Sequence, residues 1–124
     1  MRDPRLRKAR LEETIRELLS QLLLREAKDP RLAGVVISAV ELSGDLRQAK
    51  AYFSVFGDAE RERQAAEGLE QAKGFLRAEL RRSLRADIVP ELVFLRDKGY
   101  ERADRVSQLL HQLHRAGQGE GGGE

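Results

Sequence analysis

Lys73, Arg77, Arg81 and Arg85 recur at every fourth position of the segment LEQAKGFLRAELRRSLR, with Arg82 beside them. Residues four apart on an α-helix are neighbours along one side, so this spacing draws a line of permanent positive charge. Ala72, Leu76, Leu80 and Leu84 form an apolar row at the same spacing. One side of such a helix has a core to bury, while the adjoining side presents cations to water. The chemistry this suits is electrostatic capture of a polyanion, and nucleic acid is the first candidate. The plain alternative is a solvated face with local ion pairs, such as Glu70 with Lys73 or Arg77. Between Lys73 and Arg85, however, only Glu79 opposes the five bases. Four neutralised phosphates would give log affinity against log salt a slope of roughly −3 to −3.6.

Other residues could join that row. Arg2, Arg5, Arg7, Lys8 and Arg10 crowd the N-terminus, with Arg7 and Lys8 the candidates for a second phosphate contact. Arg47, Lys50 and Tyr52 fall on the strand face opposite Phe53, where a basic and aromatic surface could stack bases. His111 and His114 stand three apart, but two ligands make a poor metal site, and they read as solvated. No nucleophile–base constellation, phosphate-cradling glycine loop or paired-carboxylate motif stands out, so an enzyme is not expected. No metal and no cofactor are expected either.

The elements that must carry these side chains follow from hydrophobic periodicity. Leu11, Ile15, Leu18 and Leu22, flanked by Leu19 and Leu23, make a helical stripe from about Leu6 to Ala27, ended by Pro30. Val35 to Ser43 is rich in β-branched residues and reads as a strand. Ser43, Gly44 and Asp45 turn the chain into QAKAYFSVF, whose strict alternation makes a second, antiparallel strand. Asp58 can cap a helix from Ala59 to Lys73. Gly74 then begins a second helical segment ending near Ala86. A glycine inside a helix costs roughly 1 kcal/mol, so Gly74 reads either as tolerated, like Gly68, or as a kink where a backbone or ligand approaches. Val89 to Arg96 forms a third strand with Pro90 at its start. Tyr100 to Arg115 repeats a helical pattern, and Ala116 to Glu124 has nothing to bury and is expected to be disordered. Three strands covered on one face by helices make a two-layer α+β domain.

The chain has 124 residues, 40% apolar and 35% charged, with a formal net charge of only +2. That is one domain's worth, and any affinity for nucleic acid must come from segregated charge. The segregation is visible. Asp58, Glu60, Glu62, Glu67 and Glu70 outnumber Arg61 and Arg63 just before the basic row. Cysteine is absent, which leaves out disulfides and thiolate chemistry. No apolar run approaches a membrane span, and the basic N-terminus lacks the apolar core of a secretory signal. A cytoplasmic protein without a membrane partner or small-molecule substrate is the expectation.

DPRLAGVVISAVELSGDLRQAKAYFSVFG (Asp29 to Gly57), AKGFLRAELRRSLR and VPELVF (Val89 to Phe94), in this order and spacing, resemble bacterial ribosome-binding factor A from the first helix to Leu110. The resemblance implies a type II K-homology-like domain of order α-β-β-α-(kink)-α-β over residues 1–98. A C-terminal helix over 99–115 and a tail over 116–124 would follow it. In place of the GxxG loop of ordinary K-homology domains, the family carries an Ala-x-Gly kink, here Ala72, Lys73 and Gly74. The missing loop puts ordinary single-strand clamping in doubt. The implied function is late assembly of the small ribosomal subunit. The protein would bind the free 30S subunit and its 16S rRNA as a monomer, promote maturation at the RNA 5′ end, and matter most in the cold. The residues expected to bind RNA are Lys73, Gly74, Arg77, Arg81, Arg82, Arg85, Arg7, Lys8, Arg47 and Lys50. A protein-interaction module docking through its leucine-rich helices is the competing class. A DNA-binding domain is disfavoured, because no helix-turn-helix spacing is present.

Overall fold

Leucines and an isoleucine three and four apart wind the first segment into α1, Pro4–Arg25, in a computed structural model that describes residues 3–25, 28–86 and 88–99. Pro4 suits the first helical position, and the Asp3 carboxylate accepts from the Arg5 amide at 3.0 Å. A short 3-10 turn, Pro30–Leu32, follows. Then come β1, Val36–Leu42; β2, Gln48–Ser54; α2, Ala59–Leu84; and β3, Glu91–Arg96. The expected C-terminal helix and tail lie outside the described residues.

The strands form one sheet in the order β1-β2-β3, with β1 antiparallel and β3 parallel to the central β2. Ala49, Ala51 and Phe53 of β2 face the helices and are fully covered, as their alternation required. They pack against Ile15 and Leu19 of α1 and against Leu69, Leu76 and Leu80 of α2, all fully buried. Leu19 and Leu23, which could have widened the α1 stripe into a docking surface, belong to this core. The leucine-rich face of α1 is therefore largely consumed by folding.

The antiparallel β1–β2 pair is as expected but carries one irregularity, and one expectation about the sheet needs correction. The β1–β2 ladder is not regular: Ile37 pairs with Phe53 but Ala39 pairs with Tyr52, so Ser38 is a bulge residue. Tyr52 does lie on the face away from Phe53, yet it is only 7% exposed, and its hydroxyl donates to Glu41 Oε1 at 3.2 Å. A ring so covered cannot serve as an open stacking platform.

The second correction concerns Gly74. A break was expected there, but α2 is one unbroken helix of 26 residues through Ala72, Lys73 and Gly74. Both ends are capped. Asp58 accepts from the Arg61 amide at 2.9 Å, and the Arg85 amide donates to the carbonyls of Arg81 and Arg82. Burial of Leu69, Leu76 and Leu80 along one side outweighs the roughly 1 kcal/mol glycine penalty. The close backbone approach that Gly74 suggested occurs instead at Gly68. A Cβ there would lie 3.1 Å from both Arg31 Cβ and Leu32 Cδ2 of the 3-10 turn.

That turn is held by charge. Asp29 accepts from the Arg31 amide at 2.9 Å and pairs with its guanidinium at 2.6 Å. The guanidinium bond, and then the amide, hold the Asp29 carboxyl below its ordinary value of 3.8. A carboxylate depressed in the folded state adds stability above its unfolded pKa and loses it as pH falls through the lower folded value. Asp29→Asn keeps a capping oxygen but no charge. Urea melts between about pH 5 and 3 are expected to show a shallower acid-side loss of stability in this variant than in the unaltered chain.

Candidate nucleic-acid interface

An α-helix turns about 400° in four residues, so a row at that spacing drifts about 40° around the axis at each step. The basic row of α2 therefore starts against the body of the protein and climbs out of it. Lys73 is half-buried and pairs with Glu70 at 2.8 Å. Arg77 reaches across to the segment just before β3, donating to the carbonyls of Val89 at 3.0 Å and Pro90 at 3.2 Å. Arg81, Arg82 and Arg85 are exposed. Arg82 meets Glu79 at 3.3 Å, but its side chain stays 74% accessible. Of the five expected cations, three form the outward surface, Arg77 is a structural strut and Lys73 is locally paired.

Hydrogen bonds and register bring the remaining candidates to the same end of the molecule. The Glu91 amide donates to Arg47 O at 2.8 Å, so β3 starts beside the β1–β2 turn. Glu12 of α1 accepts from the amide of Leu42, the last residue of β1, at 2.8 Å. The N-terminal half of α1 thus lies at this end too. There Arg7, Lys8 and Arg10 share a groove of about 660 Å³ with Gly44 and Leu46 of the hairpin. Arg47 is exposed on the turn, its amide donating to Asp45 at 3.1 Å. Lys50 is half-buried on the sheet face away from the helices, opposite Glu41. It shares the end but not the surface.

Two observations single out this hairpin end. The described non-glycine residues with positive φ, Leu46 at 63° and Arg85 at 54°, both lie here, in a conformation that costs roughly 1–2 kcal/mol per side chain. The opposite end is electrically self-contained. Arg63 pairs with Glu60 and Glu67 at 2.5 Å each. Arg96 of β3 pairs with Glu62 at 2.5 Å, and Arg31 reaches Glu67 at 3.7 Å. The acidic surplus read from Asp58 to Glu70 is thus offset by arginines distant in sequence.

A second, smaller groove runs between α2 and the segment that leads into β3. Gly74, Arg77, Ala78 and Arg81 form one wall and Ile88 and Val89 the other, enclosing about 420 Å³. Nothing lies within 4 Å of where a Gly74 Cβ would stand. Sequence reading missed Ile88, which is 83% exposed, and Phe75, 41% exposed on the adjacent part of α2. Both look like core residues until the helix is placed. Gly74→Ala, at a helical site with open space, is expected to raise stability by about 0.5–1 kcal/mol in a urea melt. A destabilised variant would show that the glycine is required for the fold.

The model of the ribosome-binding factor A family matches residues 7–110 of this chain. The chain belongs to that family. Ribosome-binding factor A of Heliobacterium modesticaldum is 51% identical over 107 residues, covering 86% of this chain and 88% of the relative. Among solved structures, a solution structure of a ribosome-binding factor A from Thermotoga maritima is 42% identical. It superposes with a TM-score of 0.69, covering 80% of this chain and 94% of its own. A model of the Thermus thermophilus factor, fitted into a cryo-electron microscopy map of that factor with the 30S subunit, is 32% identical. Its TM-score is 0.60, over 72% of this chain and 93% of its own. The family's mixed α+β, K-homology-like fold is the one described above, with one continuous helix where the sequence suggested two. Among the described residues, no helix is long and apolar enough to cross a membrane, and no cluster of three or more His, Asp or Glu could hold a metal.

Proposed function

We propose that this protein is an assembly factor that binds the free 30S ribosomal subunit through its hairpin end. The observation that carries this reading is the placement of charge. Arg81, Arg82 and Arg85 stand outward at the same end as the α1 cations Arg7 and Lys8, while acids and arginines pair with each other at the opposite end. Family membership supports the partner, since a Thermus thermophilus relative has been fitted into a map of its complex with 30S. The RNA contacted is 16S rRNA, touched mainly on its backbone, which supplies affinity and orientation more than base sequence. The factor promotes late maturation near the RNA 5′ end as a cytoplasmic monomer, without cofactor or catalysis. Misfolded RNA helices persist longest in the cold, so selection of one RNA conformer by differential affinity matters most there.

Sedimentation with separated small subunits, large subunits and whole ribosomes tests the reading. Selective comigration with free small subunits is expected, weakened about a hundredfold between 50 and 200 mM salt. A flat salt response would sink it. The docking-module alternative loses ground because Leu19, Leu22 and Leu23 of α1 are buried.

A further inference from the structure

The groove between α1 and the β1–β2 turn combines two chemistries. Arg7, Lys8 and Arg10 supply charge, while Pro4, Leu11 and Leu46 supply apolar surface. Among the described residues none of these three cations is in an ion pair, because the neighbouring acids are engaged elsewhere. Asp3 accepts from the Arg5 amide, Glu12 accepts from the Leu42 amide, and Glu13 pairs with Arg16. Asp45 accepts from the Ser43 hydroxyl at 2.8 Å and from the Arg47 amide. Leu46 is the unusual member. Its φ of 63° is one that glycine adopts without strain and leucine does not. The turn fixes it there all the same, with the Leu46 amide donating to Ser43 O at 2.9 Å and the Gln48 amide to Ser43 Oγ at 3.0 Å. The leucine side chain is 43% exposed and has no place in the core.

We infer that this groove docks an acidic segment of a protein on the small-subunit particle, its carboxylates on Arg7, Lys8 and Arg10 and a large apolar side chain on Leu46. The inference rests on the reading that the hairpin end faces that particle, and it adds a protein contact at α1 to the RNA contact at α2. Polyanion binding accounts for the cations and not for the leucine. Bases stack on aromatic rings or guanidinium planes, and among the described residues that line this groove none is aromatic. An acidic amphipathic segment meets both chemistries at once, as helices do when they lay an apolar face into a groove. The site also exists before a partner arrives. The Glu12–Leu42 bond holds α1 to the end of β1, and the turn is tied by its own hydrogen bonds, so little ordering opposes docking. The leucine stripe of α1 is not what docks here, since the core already covers it.

The test is photo-crosslinking of the full chain to purified 30S subunits. The chain has no cysteine, so a single introduced thiol carries a benzophenone label at one known place. Gly44→Cys puts the label at the groove, where nothing lies within 4 Å of the new Cβ and Leu46 is left intact. Ala78→Cys puts it on the exposed face of α2 as a reference. The Gly44→Cys label is expected on a protein, at a peptide rich in Asp and Glu with an apolar residue among them, and the Ala78→Cys label on 16S rRNA. Leu46→Gly, which suits the positive φ, is expected to weaken 30S binding about five- to tenfold with an unchanged salt slope, because no phosphate contact is lost. A Gly44→Cys label found on rRNA, on a protein segment without acids, or on nothing overturns the inference. So does Leu46→Gly with unaltered affinity or a shallower slope. If those results come with an RNA crosslink from Ala78→Cys, the ribosomal reading stands and the protein site falls. If the Gly44→Cys label finds the acidic segment while Ala78→Cys misses RNA, the protein site stands and the RNA contact at α2 falls. If the chain does not comigrate with 30S subunits, both fall.

Discussion

Replacing Arg81 and Arg82 together by glutamate is expected to weaken binding to the 30S subunit by about a hundredfold or more at moderate salt. Each lost phosphate contact removes roughly 0.7–0.9 from the salt slope, so the slope should shrink by about 1.4–1.8. Introduced carboxylates add repulsion beyond that. The fold survives the change for specific reasons. Both side chains are exposed, and the helix cap uses the carbonyls of these residues, which the substitutions leave in place. The Arg82–Glu79 pair is a surface pair worth about 0–1 kcal/mol. Two acids in the last turn oppose the helix dipole by about 0.3–1 kcal/mol each. A stability loss of about 1–3 kcal/mol with retained helicity is therefore the expected background. Arg77 is unsuitable for the same experiment, because a carboxylate there would face the two backbone carbonyls that its guanidinium now satisfies. Arg63→Glu, at the self-neutralised end, serves as control and should leave 30S affinity unchanged. Retained affinity and an unaltered salt slope in the double variant would mean that the arginines of α2 do not touch the ribosome.

The largest effect on stability is expected at Leu76, level with the groove beside Gly74 but on the opposite side of α2. Its side chain is fully buried among residues from both layers. Leu76→Ala removes that apolar volume and leaves a cavity that the packed neighbours fill only in part, a change that costs about 2–5 kcal/mol. Small domains have only about 5–15 kcal/mol in total, so the variant should unfold at markedly lower urea concentration with an unchanged m-value. Leu76→Met is expected to lose less than about 1.5 kcal/mol, since volume is nearly kept. Similar small losses in both variants would show that α2 is not locked onto the sheet at this point. The two experiments also separate fold from function on one helix. Arg81 and Arg82 carry affinity with a modest stability cost, while Leu76 carries stability.

Much of this arrangement was legible from residue types alone. Ala49, Ala51 and Phe53 alternate at the strand period, and the pleat obliges them to share one face, which is the buried one. The leucines of α1 and α2 recur at the helical period and meet the core for the same reason. Where reading failed, the deciding contact came from far along the chain. Gly74 and Gly68 look alike in sequence, and only the crossing of the Pro30–Leu32 turn over α2 makes Gly68 the crowded one. Tyr52 alternates outward as expected, yet its cross-strand neighbours and its bond to Glu41 leave it covered.

The sequence by itself determined the first helix, the three strands, the buried faces and the existence of a basic row, because periodicity and charge are local properties of a chain. Tertiary structure alone decided which cations are available. Arg77 became a strut because the segment leading into β3 offers it the carbonyls of Val89 and Pro90. Lys73 was turned inward by the drift of a four-residue row around a helix of 3.6 residues per turn. Arg81 and Arg85 were left outward by that same drift, with Arg82 beside them, and Arg81 shares a groove with the exposed Ile88. Pairings between residues distant in sequence depend on how the layers close, and no local pattern encodes them.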